Sequence, residues 1–274
     1  MALLMEQKLI ALDLDGTTLN AKSMLTVRTK LVLEQAKQAG HIVSIVTGRP
    51  YRISANYYDE LHLKTPMINF NGALGHIPHH QWNKEYQKTF SREVVFDLLT
   101  HKNELGIKVI AAEAKDTLLV DQPQDFHSEF FPNDVSKQQA LTKDSLKNDP
   151  AAATLMIETQ KEATTAAWIK EKYHHEVAVG VWGGPAPVIE LEPQGISKAF
   201  GLAYLADSYH IKRQNIIAFG DEHNDREMLE YAGLGVAMKN GTDNIKKIAN
   251  DITKFDNQHD GLANYLADYL QLAK

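Results

Sequence analysis

Three short apolar runs set the rhythm of the first third of the chain: KLIALDL at residues 8–14, HIVSIVT at 41–47 and PMINF at 66–70. Each is nearly continuous in apolar side chains and ends in a turn rich in Gly, Pro, Asn or Asp, the pattern of a strand buried on both faces. Between the first two, Thr26 is placed to cap a helix over residues 27–39 that Gly40 stops. A second helix is predicted near residues 53–61. Strand and helix alternate, so neighbouring strands should run parallel.

The pattern then changes. Residues 91–105 read as a helix, followed by short strands at 107–112, 117–120, 153–158 and 176–181, with a helix at 162–173. Residues 126–150 are polar and give only weak signals. From Val188 the first rhythm is read as resuming: VIELEP as a strand, a helix at 197–209, NIIAFGD at 215–221 as a strand, and a short helix at 225–231. LGVAM at 234–238, a helix after Thr242, ITKF and a helix from Gly261 complete the chain. The expected fold class is α/β: a doubly wound, mainly parallel Rossmann-like core sheet from residues 1–82 and 188–274, with an α+β domain inserted at 83–187.

Composition narrows the chemistry. The 274 residues include no Cys, which removes disulfide scaffolds, thiolate metal sites and Cys nucleophiles. With 29 Lys+Arg against 35 Asp+Glu the net charge is −6. That balance speaks against a phosphate-tracking nucleic-acid surface. Glu6 interrupts the apolar residues 1–5, and no apolar run approaches the ~18 residues of a membrane span. A cytoplasmic protein without a nucleic-acid or membrane partner is expected.

In an open parallel sheet, ligands bind beyond the carboxyl ends of the strands. The residues falling there are Asp13, Asp15, Gly16 and Thr17; Thr47, Gly48 and Arg49; Asn71 and Gly72; Gln194, Gly195, Ser197 and Lys198; Gly220, Asp221, Glu222, Asn224 and Asp225; and Lys239, Asn240 and Gly241. Four aspartates on two adjacent strand ends repel one another unless a cation lies between them, and oxygen-only ligands suit Mg²⁺. Thr47, Gly48, Lys198 and helix-start N–H groups could cradle a phosphate. Each piece alone has a plainer reading: D-L-D-G as an acidic turn, G-D-E-H-N-D as a helix cap, Lys198 as a solvated helix Lys. Their joint order along the strand ends carries the argument. His76, His79 and His80 read as a solvated loop. Residues 182–185 (WGGP) read as a tight turn with a packed Trp, or as lining to a site entrance. No P-loop, nucleophile elbow or dinucleotide fingerprint is present, and the spacing after Asp13 rules out an EF-hand.

DLDGTTL, VTGR, GISK and GDEHND, with NGA at 71–73, GVAMKNGTDNIK at 235–246 and DGLANYL at 260–266, resemble the haloacid dehalogenase (HAD) superfamily, specifically its Cof-type phosphatases. The likeness runs almost end to end, and the insert resembles the C2B cap. Ala199 stands where the family commonly has Gly. The resemblance implies a Mg²⁺-dependent phosphomonoesterase acting on small phosphorylated metabolites such as sugar phosphates, pyridoxal phosphate or flavin mononucleotide. It implies Asp13 as nucleophile and Asp15 as general acid and base. It implies Mg²⁺ on Asp13, the Asp15 backbone carbonyl and Asp221, with Asp225 in support. Thr47, Gly48 and Lys198 would hold the phosphate, Asn224 would orient Lys198 or the phosphate, and Arg49, Asn71 and Asn240 would lie near the substrate. A phosphotransferase or phosphomutase of the same fold, a receiver-like module and a sugar-phosphate-binding regulator are the competing readings. A monomer or weak homodimer is expected.

Overall fold

The computed structural model describes residues 6–122, 139–182 and 187–272. They form two compact units. The first unit takes Met1–Gly48, Ser54–Glu85 and Ser197–Lys274, and the second takes Arg49–Ile53 and Tyr86–Ile196.

The chain starts in the first unit with β1 (Leu9–Leu12), α1 (Val27–Gln38) and β2 (Ile42–Ile45). Thr26 caps α1 as expected, its hydroxyl accepting from Thr29 N–H at 3.0 Å. Next come α2 (Tyr51–Glu60), β3 (Met67–Asn69) and β4 (Leu74–His76). The second unit holds β5 (Tyr86–Gln87), α3 (Arg92–Thr100), β6 (Ile107–Ala114), β7 (Thr117–Val120), β8 (Gln139–Ala140), β9 (Ala152–Ile157), α4 (Glu162–Tyr173), β10 (Val177–Val181) and β11 (Val188–Pro193). The chain then returns with α5 (Lys198–Ser208), β12 (Ile216–Gly220), α6 (Arg226–Tyr231), β13 (Leu234–Ala237), α7 (Asp243–Ile248), β14 (Asp251–Ile252) and α8 (Gly261–Tyr269).

The first unit is built on a five-stranded parallel sheet in the order β14-β13-β12-β1-β2. Alternate residues along a strand face opposite sides. Leu9, Ala11, Ile216 and Ala218 meet Leu202 and Leu205 of α5 and Met228 and Leu229 of α6. On the other face the Phe219 ring meets Tyr265 of α8 edge-on at 5.7 Å, and α8 packs on α1. Helices therefore cover both sides, the doubly wound arrangement that continuous apolar strands require.

In the second unit a six-stranded sheet runs β10-β11-β9-β6-β7-β8, antiparallel except for β7 and β8. One face packs Val94, Val95 and Leu98 of α3 and Ile169 of α4 against Ile110, Leu155 and Ile189. Glu113 on β6 is buried and held by Arg52 through two bonds, Nε to Oε2 at 2.8 Å and Nη2 to Oε1 at 3.2 Å.

Three expectations need correction. The strand at 188–193 does not return to the parallel core: it pairs antiparallel with β10 and β9. The boundaries accordingly fall at 85/86 and 196/197, not 82/83 and 187/188. The reason is visible in VIELEP, where Glu190 and Glu192 are half-buried between buried Val188, Ile189, Leu191 and Pro193. That near-alternation suits an antiparallel strand with one wetter face, not a core strand buried on both sides. Second, β3 keeps a parallel contact with the end of β2, through a Val46–Ile68 bridge and Thr47 N–H to Ile68 O at 2.9 Å, but its ladder is antiparallel with β4 in a hairpin. Third, His76 is not in a solvated loop. It is wholly buried on β4, with Nε2 3.0 Å from Asn69 Oδ1, while His79 and His80 are exposed. Of the WGGP segment, Trp182 donates to Glu190 Oε2 at 3.3 Å, and Gly183, Gly184 and Pro185 lie outside the described residues.

Candidate active site

Parallel pairing of β1 with β12 sets Leu12 beside Phe219, so both strands end at the same level. Asp13 follows β1 directly, its N–H donating to Phe219 O at 3.2 Å, and Asp221 follows β12. The chain after Asp13 makes a wide turn over Leu14–Thr18, closed by Leu19 N–H to Leu14 O at 2.9 Å. Gly16 lies in the turn at φ 68°, a left-handed conformation that suits glycine. A Cβ on Gly16 would also come within 2.1 Å of Asp221 Oδ2. Glycine is therefore required twice over.

Lys198 opens α5 and is 1 % exposed. Its ammonium donates to Asp13 Oδ1 at 2.7 Å and to Asp225 Oδ1 at 2.5 Å. The other Asp225 oxygen accepts the N–H groups of Asp221 at 2.9 Å and Glu222 at 3.1 Å. Asp225, with no exposed surface, therefore shapes the 221–225 loop and holds the lysine. Thr17 Oγ1 donates to Asp221 Oδ1 at 3.2 Å.

These contacts set unusual protonation energetics. Burial, then the Asp225 charge, pushes the Asp13 carboxyl well above the ordinary carboxylate range against the pull of Lys198. Burial and Asp225 push Asp221 up to about 7. Burial works against the charge on Lys198, but the Asp13 and Asp225 carboxylates outweigh it and hold the ammonium above its usual value. One oxygen of each of Asp13, Asp221 and Asp225 lies within 4.8 Å of the others. Full ionisation of the three carboxylates against one ammonium would leave two negative charges in a buried pocket of hard oxygen donors, and burial together with that repulsion pushes Asp13 and Asp221 up when no cation is bound. That charge and donor set fits a divalent cation of the Mg²⁺ kind.

The remaining expected residues fall in different places. Asp15 is exposed and is not part of the three-carboxylate group. Thr47 is buried and its carbonyl accepts from Asn71 N–H at 3.1 Å. Gly48 lies against Asn71, whose Oδ1 would be 2.9 Å from any Cβ there. Asn224 donates to Asn71 Oδ1 at 3.1 Å, so its bond runs to the loop after β3 and not to Lys198. Arg49, buried, is grouped with the second unit. Asn240 is engaged by the backbone: its amide donates to Gly16 O at 2.7 Å. Thr17 falls beyond the first strand as expected, whereas sequence reasoning missed Thr18 and Asn257 and gave Thr17 no role. Thr17 and Thr18 lie inside DGTT, and only the turn shows their bonds to Asp221 and to the Asp13 carbonyl.

Residues 10–266 match the family profile described as haloacid dehalogenase-like hydrolase. The chain belongs to the haloacid dehalogenase-like hydrolases. It is 36% identical over 269 residues to the 5-amino-6-(5-phospho-D-ribitylamino)uracil phosphatase YitU of Bacillus subtilis, covering 96% of this chain and 98% of that one. It is 27% identical to the pyridoxal phosphate phosphatase YbhA of Escherichia coli, over 97% of this chain and 100% of that one. Among solved structures, a haloacid dehalogenase-like hydrolase of Bacteroides thetaiotaomicron superposes with a TM-score of 0.82 at 26% identity, over 96% of this chain and 100% of that one. This haloacid dehalogenase-like hydrolase is thus a phosphatase of the Cof type.

Proposed function

We propose that the chain is a Mg²⁺-dependent phosphomonoesterase that works through an aspartyl-phosphate on Asp13. The observation carrying this reading is the buried Lys198 ammonium shared between Asp13 and Asp225. It fixes one Asp13 oxygen and sets a positive charge beside the position a phosphoryl group would take.

In the first half-reaction the free Asp13 carboxylate oxygen attacks phosphorus, and the bond from phosphorus to the leaving oxygen breaks. Asp15, exposed on the turn next to Asp13, gives its proton to that leaving oxygen. In the second, Asp15 takes the proton from a water that attacks phosphorus, and the Asp13 carboxylate is released. Lys198 and Thr47, with the backbone at Gly48, balance charge on the phosphoryl oxygens. Mg²⁺, held by Asp13, the Asp15 carbonyl and Asp221, would neutralise the remaining negative charge when bound. Asp225, with both oxygens already engaged, supports from behind Asp221 and Lys198. Asn71 and Asn224 brace each other at the mouth of the phosphate site.

The substrate is proposed to be a small phosphorylated metabolite, of the class to which the phosphoribitylamino-uracil and pyridoxal phosphate esters of the relatives belong. The reading places the protein in the cytoplasm as a monomer or weak homodimer. Among the described residues no helix is long and apolar enough to cross a membrane. The test is phosphate release from p-nitrophenyl phosphate with Mg²⁺. Wild type should be active and EDTA should abolish activity. Asp13→Asn should stay folded and lose activity by more than about 10³-fold. Wild-type turnover in Asp13→Asn would exclude it as nucleophile. Transfer to an added alcohol or sugar phosphate in place of phosphate release would favour the phosphotransferase reading.

A further inference from the structure

We infer that Asn240 and Asn257 form a clamp that positions Asp15 as proton donor. The inference rests on the reading of Asp15 as general acid and adds two residues that act through it.

Asp15 sits on a turn that is held at several points, by Leu19 N–H to Leu14 O, by Thr18 Oγ1 to Asp13 O and by Thr17 Oγ1 to Asp221 Oδ1. Its backbone is extended (φ −72°, ψ 131°) and the next residue, Gly16, is left-handed. Glycine is the residue that enters this conformation without strain, so the position of the Asp15 peptide depends on what holds the Gly16 peptide. Two further holds come from the loops after β13 and β14. Asn240 Nδ2 donates to Gly16 O at 2.7 Å, gripping the peptide that follows Asp15 by one residue. Asn257 Nδ2 donates to Leu19 O at 2.8 Å, gripping the exit of the turn. The two asparagines are joined, because Asn257 N–H donates to Asn240 Oδ1 at 3.0 Å.

The clamp is itself tied to the metal-ligand strand. Met238 N–H donates to Gly220 O at 3.0 Å and Thr242 N–H to Asp221 O at 3.0 Å, on either side of Asn240. Lys239 N–H donates to Thr253 Oγ1 at 2.9 Å, which joins the two loops. One loop thus holds the Asp221 backbone and the Gly16 carbonyl together, and fixes the spacing between the carboxylate cluster and the Asp15 peptide. Both polar ends of the Asn240 amide are engaged in this frame, which makes it a positioning residue and not a substrate ligand. A proton donor displaced by about 1 Å can lose on the order of 100-fold in rate.

The test compares kcat/KM for p-nitrophenyl phosphate, whose leaving group departs readily without a proton, with phenyl phosphate, whose leaving group needs one. Asn240→Ala and Asn257→Ala should each lower kcat/KM by about tenfold on phenyl phosphate and by no more than about threefold on p-nitrophenyl phosphate. Asp15→Asn should show the same split more strongly. In the Asp15→Asn background the two Asn substitutions should add no further split, since they act through that carboxyl. Equal losses on both substrates, or no loss, in the Asn variants would overturn the clamp while a split in Asp15→Asn leaves the general-acid reading standing. No split in Asp15→Asn would overturn both. Asn257 is partly exposed, and a urea midpoint close to that of the wild type checks that its variant folds.

Discussion

Lys198 is the residue on which the energetics of the site turn. An ammonium taken out of water is costly, and its cost is offset only because two carboxylates accept from it at 2.7 and 2.5 Å. The dependence is mutual. Asp13 is already pushed toward its neutral form by burial and by Asp225, and only Lys198 is positioned to draw it back. Lys198→Met keeps the length of the side chain and removes the charge. It leaves Asp13 and Asp225 facing each other in a buried setting, and breaking such a pair costs about 3–5 kcal/mol. The expected result is a loss of that size in urea denaturation without divalent cation, together with loss of phosphatase activity. The part of the loss recovered on adding Mg²⁺ should exceed the stabilisation that Mg²⁺ gives the wild type. Loss of less than about 1 kcal/mol would show that the two acids do not depend on the ammonium. At this scale the sequence was informative about which residues matter and silent about how they pair. D-L-D-G and G-D-E-H-N-D announce carboxylates, but nothing in the spacing of residues 13, 198 and 225 shows that one lysine is shared between two of them. Nor does the spacing show that Asn224 bonds Asn71 instead of that lysine. Those bonds depend on where three separate chain segments end in space.

The hairpin of β3 and β4 shows how an element can hold a functional group at a cost in backbone strain. Phe70, Asn71 and Gly72 have φ of 48°, 46° and 112°, three left-handed residues in succession. Asn is among the few side chains that tolerate this conformation. The strain turns the chain so that Asn71 reaches Asn224 and lies against Gly48. Below it, Asn69 Nδ2 donates to Ser54 Oγ at 2.9 Å and Asn69 Oδ1 pairs with His76, which ties α2, β3 and β4 together under the loop. Backbone and side-chain demands at position 71 can therefore be separated. Asn71→Gly satisfies the backbone and deletes the side chain, whereas Asn71→Ala deletes the same side chain and must pay for the left-handed turn. Asn71→Ala is expected to be about 1 kcal/mol less stable than Asn71→Gly by urea denaturation. Phosphatase activity should fall by a similar factor in both. Equal stabilities would mean that the loop relaxes out of the left-handed region when Asn71 is lost. The hairpin was only half legible in the sequence. PMINF has the continuous apolar run of a parallel core strand, and its pairing with Leu74–His76 is invisible because Gly72 and the small residues around it carry no periodic signal. LIAL, IVSI and IIAFG were legible because each is buried along its whole length, as only a strand covered on both faces would be. VIELEP misleads for the complementary reason: a strand followed by a helix repeats the rhythm of the core, and only its two half-buried glutamates mark a wetter face.

At the scale of the whole chain, the site is assembled from distant segments but belongs to one unit. Asp13 and Lys198 are 185 positions apart, yet both lie in the first unit, as do Asp221 and Asp225. The second unit is inserted between them in sequence and has a separate hydrophobic core. A ligand that binds only the folded form stabilises the part that folds to make its site, by about 2.7 kcal/mol at a hundred times its Kd. Mg²⁺ should therefore stabilise the first unit selectively. The tryptophans allow each unit to be followed. Trp82 is in the first unit, its ring edge-on to Tyr204 at 6.1 Å, whereas Trp168 and Trp182 are in the second. In Trp168→Phe/Trp182→Phe the remaining fluorescence reports the first unit, and in Trp82→Phe it reports the second. Saturating Mg²⁺ is expected to raise the urea midpoint seen by Trp82 and to leave the midpoint seen by Trp168 and Trp182 in place. Asp221→Asn should remove the Trp82 shift, because it takes away one of the carboxylates that make the pocket doubly negative. A Mg²⁺ shift that survives Asp221→Asn, or one confined to the second unit, would place the cation away from the Asp13–Asp221 cluster and would overturn its assignment there.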